Sequence, residues 1–379
     1  MQKPVLFSFF SGSGFLDLGF ENSGFDVAFV NEFHTPFLDA YKYTRKVMNH
    51  DEPRFGYSSL SIEALLDGEE GEHFSSLVKK AKTSDNLVGF IGGPPCPDFS
   101  VGGKNKGSEG ENGKLTRTYV DLIVKDSPDY FIFENVKGLW RTKRHREFYE
   151  SMKIKLQEAG YELTDRLTNS IEYGVPQDRD RIFLFGIKSK YVEKHIEGSD
   201  LESIFNWNAK ITVDIKSVMN KSRWPSVNQF VEDEHTDYTK FIDEELKQLT
   251  IQHWFDKNDV LNHPNAKHHF QPKSEKFAVI EEGDDSKKSF KRLHRWRYSP
   301  TAAYGNNEVH LHPYKARRIS AAEALAIQSL PKEFYFPATM TLSNMFKTIG
   351  NGVPYLAAKG LAETTFNFLE FYIQDSKYS

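Results

Sequence analysis

Up to about Gly186, short apolar runs alternate with amphipathic stretches, and this alternation limits the fold more than any other feature of the chain. Runs at 5–10, 26–30, 87–91, 130–133 and 181–186 have the length of buried strands. Residues 15–22, 37–48, 74–82, 118–125 and 147–159 have helical spacing. Strands alternating with helices predict an α/β fold on a doubly wound, mostly parallel sheet. Beyond about Lys188 the pattern is lost. As far as Pro313 the chain is polar and irregular, with acidic clusters at 232–235 and 281–285. Helical patterns then return. Ser320 and Glu323 have the spacing of a capping box ahead of 324–329, and a last helix is expected over 355–372. The chain therefore divides into a first domain at 1–188, a smaller irregular domain at 189–313, and a segment at 314–379 that packs back onto the first sheet.

Charge is nearly balanced, with 49 basic and 53 acidic residues. A polyanionic partner would have to be held by a local patch, not by a global field. The apolar run after Met1 is too short for a signal-peptide core and reads as a buried strand. No stretch has the length of a membrane span. A single cysteine suggests a reducing compartment, so a cytoplasmic location is expected.

That cysteine, Cys96, lies in Gly92-Gly93-Pro94-Pro95-Cys96-Pro97-Asp98-Phe99-Ser100. One thiol can form no intrachain disulfide and no cysteine-based zinc site. It is either a buried small hydrophobe, the usual fate of a free cysteine, or a nucleophile. Its prolines and glycines suit a stiff loop past a strand end, where open α/β sheets place their chemistry. The local pattern leaves both readings open. Phe10-Ser11-Gly12-Ser13-Gly14 follows the first strand, where glycines let a ligand approach a helix N-terminus. Glu32, about twenty positions on, closes the second strand, where acids bind ribose hydroxyls. Together they suggest an adenosine-containing cofactor. Glu134 follows the apolar run 130–133, as a solvated loop acid or a partly buried proton donor with a raised pKa. Gln177-Asp178-Arg179-Asp180-Arg181 opens the next strand, as a surface ion-pair ladder or as a guanidinium aimed at a substrate oxygen.

In this order, the motifs resemble those of the DNA cytosine-5 methyltransferases that use S-adenosylmethionine. The likeness covers nearly the whole chain outside the polar insert. It rests on Phe10-x-Gly12-x-Gly14, on Pro94-Pro95-Cys96-x-x-Phe99-Ser100 running into Gly103-Lys104-x-Lys106-Gly107, on Glu134-Asn135-Val136, and on Gln177-x-Arg179-x-Arg181. It is completed by Arg317-Arg318-Ile319-Ser320-x-x-Glu323-Ala324 and Gly350-Asn351-Gly352-Val353-Pro354. The resemblance implies the sheet of S-adenosylmethionine-dependent methyltransferases and a covalent mechanism on a flipped-out cytosine. Cys96 would attack C6, Glu134 would hydrogen-bond N3 and the exocyclic amine, and Arg181 would hold O2 with Arg179 in support. For the cofactor it implies Phe10 and Phe33 at the adenine, Gly12 and Gly14 at the methionine end, Glu32 at the ribose and Asn351 on the cofactor-side loop. Ser61-Ile62 and Leu115 complete that set. Ser100, Lys104, Lys106 and Gln177 fall on the DNA side. The family's usual glutamine after the cysteine is Pro97 here. Its Asp-Ile at the adenine amine is Ser61-Ile62, and the Arg-Gly before Leu115 is Asn112-Gly113.

The insert 189–313 then becomes a target-recognition domain. Its tail, residues 287–297, holds six Lys or Arg among eleven residues. Such a run alone reads as a solvated loop; in this context Lys291, Arg292, Arg295 and Arg297 are expected on DNA phosphates. The implied partners are duplex DNA and a restriction endonuclease that shares the site without contacting the enzyme, which is expected to be monomeric. A tRNA cytosine-5 methyltransferase is the nearest alternative, but its Cys-Phe-Thr signature needs a second cysteine. Other RNA cytosine-5 enzymes use two cysteines. An amino-group methyltransferase needs Asp- or Asn-Pro-Pro-aromatic. A nicotinamide oxidoreductase would leave Cys96, Glu134 and Arg181 without a role, and a catalytically dead DNA-binding protein would be expected to lose Cys96 or Glu134.

Overall fold

The computed structural model describes residues 3–83, 86–95, 111–196, 200–233, 242–287, 289–302, 304 and 308–377. Cys96, Ser100, Lys104 and Lys106 lie outside these residues.

Seven strands form one sheet: β1 Val5–Phe9, β2 Asp26–Asn31, β3 Tyr57–Ser58, β4 Val88–Gly92, β5 Tyr130–Val136, β6 Tyr161–Asn169 and β7 Asp180–Lys188. Their order is β3-β2-β1-β4-β5-β7-β6. The first five in that order run parallel; β7 is antiparallel to both β5 and β6. This is the expected α/β fold with a mostly parallel sheet. The five expected strands are present, and two more extend the edges. β6 was not expected because it is an edge strand with only intermittent burial, so its sequence lacks a continuous apolar run.

The helices of this first part are α1 Phe15–Glu21, α2 Thr35–Val47, α3 Gly68–Lys82, α4 Glu111–Asp126, α5 Lys137–Arg141 and α6 Lys143–Glu158. The two-residue period of a strand divides them between the faces. Val5, Phe7 and Phe9 join Phe74 and Val78 of α3, Tyr119 and Ile123 of α4, and Phe148 and Met152 of α6 in one core. Leu6 faces the other way, into a cluster with Phe20 of α1, Leu38 and Tyr41 of α2, and Ala358, Leu361 and Leu369 of the C-terminal helix Tyr355–Lys377.

Beyond β7 the chain makes short helices and turns. Val192, Leu201, Phe205 and Trp207 pack under the sheet. Ile251, Trp254, Leu293, Tyr304 and Val309 share a core with Ile319, Leu325, Phe346 and Ile349 and with Phe15 and Leu18 of α1. Val218, Trp224, Ile242, Leu246 and Leu249 make a smaller cluster. Among the described residues, no helix is long and apolar enough to cross a membrane.

Candidate active site

The site lies at the edge where the parallel strands end. The β1–α1 loop turns there on left-handed residues: Phe10 at φ 52°, Gly12 at 57° and Gly14 at 82°. At Gly14 a side chain is excluded twice over, because a Cβ would also lie 2.6 Å from Arg45 Nη2 and from the Tyr41 ring. The same Arg45 Nη2 donates to the Gly14 carbonyl (2.7 Å). Its Nε pairs with Glu21 at 2.7 Å. Asp17 accepts from Ser8 Oγ (2.9 Å) and Tyr41 Oη (3.0 Å). Burial pushes the Asp17 carboxyl up to about 6. The glycine loop thus rests on a buried ionic network between α1 and α2.

Glu32 follows β2 directly. Its Oε2 accepts from the Gly12 N–H (2.8 Å) and its Oε1 from the His34 N–H (2.7 Å). Burial raises its pKa, and these two N–H groups oppose the rise. The Glu32 N–H donates to Ser58 O (3.0 Å) and Asn31 Nδ2 to Leu60 O (2.9 Å), so Ser61 starts from a segment pinned beside Glu32. Ile62 is buried in the sheet core, and Phe10 and Leu115 border the same core. Phe10 lies edge-on to Tyr119 at 6.0 Å. Phe33 is 70% exposed. Asn351 is exposed at the end of the helix Leu342–Asn351, whose Thr348 hydroxyl meets Ser13 Oγ at 2.9 Å. Ser11 Oγ, inside the loop, is buried without a hydrogen-bond partner among the described residues. An orphaned hydroxyl, glycines lacking a Cβ, a strand-end carboxylate with lone pairs to spare and an exposed aromatic ring suit an adenosine ligand with a polar tail.

Glu134 lies near the end of β5 and Arg181 near the start of β7. Because these strands are antiparallel, Glu134 pairs with Phe183 and Val136 with Arg181 in the ladder. Arg181 Nε lies 2.8 Å from Glu134 Oε1, both side chains nearly buried. Burial raises the Glu134 pKa; Arg181 and then Arg179 oppose it. The chain leaving β4 passes against this carboxylate. A Cβ on Gly93 would lie 2.4 Å from Glu134 Oε2, and Asn135 Nδ2 donates to Pro94 O (3.4 Å). A side chain at 93 would displace the Glu134 carboxylate from this position, and the next residues lead to Cys96.

Other expected residues are placed differently. Arg179 is fully buried and donates to Ala302 O (3.1 Å) and Gly350 O (2.7 Å). It ties the chain entering β7 to two distant segments, in keeping with a supporting role behind Arg181. Gln177 is also fully buried, its Oε1 accepting from the Ala302 N–H (3.1 Å), which removes it from direct DNA contact. Arg292, 1% exposed, donates to Ile280 O (2.7 Å), Lys315 O (3.0 Å), His312 O and Phe277 O. Arg295 grips Glu282 through Nε (2.9 Å) and Nη2 (2.8 Å). Both guanidiniums are engaged internally, which corrects their expected role as phosphate ligands. Arg297 is half-buried, its Nε donating to Pro225 O (2.5 Å). Lys291 is half-buried.

Sequence reasoning missed Arg45, Asp17 and Glu21. Their only signal was the i, i+4 spacing of Asp17 with Glu21 and of Tyr41 with Arg45 on facing helices.

The chain belongs to the C-5 cytosine-specific DNA methylases, whose family model matches residues 5–367. It is thus a DNA cytosine-5 methyltransferase. It is 57% identical to Type II methyltransferase M.NmeDI of Neisseria meningitidis serogroup C, across 99% of this chain and 86% of the relative. Type II methyltransferase M.FnuDI of Fusobacterium nucleatum is 27% identical across 95% of this chain and 94% of its own. Among solved structures, a prophage-encoded chain described as a DNA modification methyltransferase (E. coli) superposes with a TM-score of 0.63 at 21% identity. That match covers 97% of this chain and all of the other, and it supports the fold.

Proposed function

We propose that the enzyme uses S-adenosylmethionine to methylate C5 of a cytosine flipped out of a specific duplex sequence, through a covalent bond from Cys96 to C6. The observation that carries this reading is the Glu134–Arg181 pair set against the segment that leads to Cys96.

Phe10, Gly12, Gly14, Glu32, Phe33, Ser61, Ile62, Leu115 and Asn351 would hold the cofactor. Bound there, S-adenosylmethionine supplies an electrophilic methyl group. The Cys96 thiolate adds to C6, and the C5–C6 π electrons make C5 nucleophilic. Glu134, its carboxyl biased toward the protonated form by burial, donates to N3 as charge develops there. Arg181 opposes charge at O2 while Arg179 fixes the start of β7. The methyl group reaching C5 would leave the cofactor's sulfur as a neutral thioether; a water-borne base then takes the C5 proton as the Cys96 thiolate departs, which restores the ring. A stacked base exposes neither face of C5–C6, so the cytosine must leave the helix.

We assign catalysis and cofactor binding to 1–188 and target recognition to 189–313, with 314–379 returning to the catalytic part. The name of the relative at 57% identity supports a protective role opposite an endonuclease that cuts the same site. The enzyme would act as a monomer in the cytoplasm, where DNA is available and a thiol stays reduced.

Tritiated S-adenosylmethionine with mixed-sequence duplex DNA, followed by digestion to nucleosides, tests the reaction. Label is expected in 5-methylcytosine and is expected to vanish in Cys96→Ser. Label confined to transfer RNA, or found on N4 of cytosine or on adenine, would overturn the reading.

A further inference from the structure

The net charge of −4 means that DNA must be met by a local basic surface. The run at 287–297 supplies less of one than its composition suggests, since Arg292 and Arg295 face inward. A second concentration of cations lies beside the catalytic strand. Residues 137–146 read Lys-Gly-Leu-Trp-Arg-Thr-Lys-Arg-His-Arg: five cations and no acid. Lys137, Arg141, Lys143, Arg144 and Arg146 are all exposed.

This segment is not a loose loop. It forms α5 and the start of α6, and it is anchored by Leu139, His145 and Phe148, all buried. Arg146 lies 4.6 Å from the centre of the Trp140 ring, and Trp140 packs against Tyr149. Lys137 Nζ bridges to Asp180 Oδ2 at 2.6 Å, beside Arg181. The backbone that carries these cations is therefore held in place, starting three residues past Glu134. A strand advances about 3.3 Å per residue and a helix about 1.5 Å, so the Arg141 backbone lies within roughly 20 Å of Glu134. Duplex DNA carries a negative charge about every 1.7 Å of its axis, so phosphates flanking a base held at Glu134 fall within the same range.

We propose that the α5–α6 surface, through Arg141 and Lys143 above all, binds the phosphate backbone next to the target cytosine. This rests on the duplex-DNA reading above and adds a contact outside the recognition segment. Phosphate contacts fix register and carry no sequence information. The surface should therefore strengthen binding to every duplex by the same factor.

The test is Arg141→Glu with Lys143→Glu in the full-length protein, beside the milder Arg141→Gln with Lys143→Gln. Binding is followed by fluorescence anisotropy over a salt series, on a mixed-sequence duplex and on a duplex bearing the mapped site. The expected result for the charge reversal is a log K against log salt slope shallower by about 2, near 0.9 per phosphate contact, with affinity near 0.1 M salt falling on the order of tens-fold on both duplexes. The glutamine pair should lose about the same slope, with a fall in affinity between it and wild type. S-adenosylmethionine affinity, thermal midpoint and kcat at saturating DNA should stay unchanged. An unchanged slope in both variants, or a loss confined to the duplex bearing the site, would overturn the proposal while leaving the DNA reading intact. Wild type showing no salt-dependent DNA binding would overturn both.

Discussion

Glu134 shows how one side chain acquires its chemistry from its neighbours. Burial favours the neutral acid, while two arginines resist that without cancelling it. Glu134→Gln keeps the shape and removes the titratable proton. Methylation kcat should fall by about 10²–10⁴-fold, measured with tritiated cofactor at saturating DNA. Gly14→Ala should fail differently. The added Cβ meets Arg45 and Tyr41 at a left-handed φ, so cofactor affinity measured by calorimetry should drop together with the melting temperature. Glu134 and Arg181 were legible in the sequence because each adjoins an apolar run that announces a strand. Arg292 was legible as a charge but not as a buried one: its acceptors are carbonyls up to 23 residues away, which leave no mark in composition. Arg292→Ala should therefore cost about 2–4 kcal/mol in urea unfolding, from stranded carbonyls and lost packing, while the salt slope of DNA binding stays the same.

At the scale of elements, the capping box at Ser320 and Glu323 forms as its spacing predicts: Glu323 N–H donates to Ser320 Oγ (3.2 Å), and Ser320 N–H to Glu323 Oε2 (2.7 Å). The sequence did not show the second duty of Glu323. Its carboxylate also takes both Arg317 nitrogens (2.7 and 2.9 Å) and faces His312 Nε2 at 3.4 Å. These partners hold its pKa well below the usual range. Ser320→Ala should cost about 1 kcal/mol, the value of a cap. Glu323→Gln should cost about 3–5 kcal/mol, because Arg317 loses the only carboxylate it is seen to pair with among the described residues. Urea midpoints of the two variants, side by side, distinguish a cap from a hub. The edge strand β6 and the two-residue β3 were illegible for a related reason: half-covered strands need too few apolar residues to stand out.

Over the whole molecule, neutral histidines are buried in the second half of the chain. Burial pulls His294 down to about 4 and His310 to about 3 from an ordinary 6.5. His294 Nδ1 accepts the Trp296 N–H (3.0 Å), a bond that a protonated ring would lose. Below pH 6.5 the unfolded chain takes up protons on these rings that the folded one refuses, so their contribution to stability is intact at neutral pH and is lost as pH falls from about 6.5 toward 4, while the raised carboxyl of Asp17 works the other way below about 6. Unfolding in urea at pH 7.5, 6 and 5 should show this decline, and His294→Gln should flatten part of it.

The helix α1 is covered by the helices Leu342–Asn351 and Tyr355–Lys377. Asn22 Nδ2, just past its end, donates to Tyr355 Oη (3.0 Å), and Phe25 packs edge-on against Phe366 at 5.6 Å. Ser13, just ahead of α1, and Thr348 in its cover are 335 positions apart, and the ribosome adds about 5–20 residues per second. For a time on the order of tens of seconds the nascent chain must carry Phe15, Leu18 and Phe20 without their final neighbours. The glycine loop just ahead of α1 must wait through that interval for its contact with Thr348, so its finished shape forms only after the helix Leu342–Asn351 has been made.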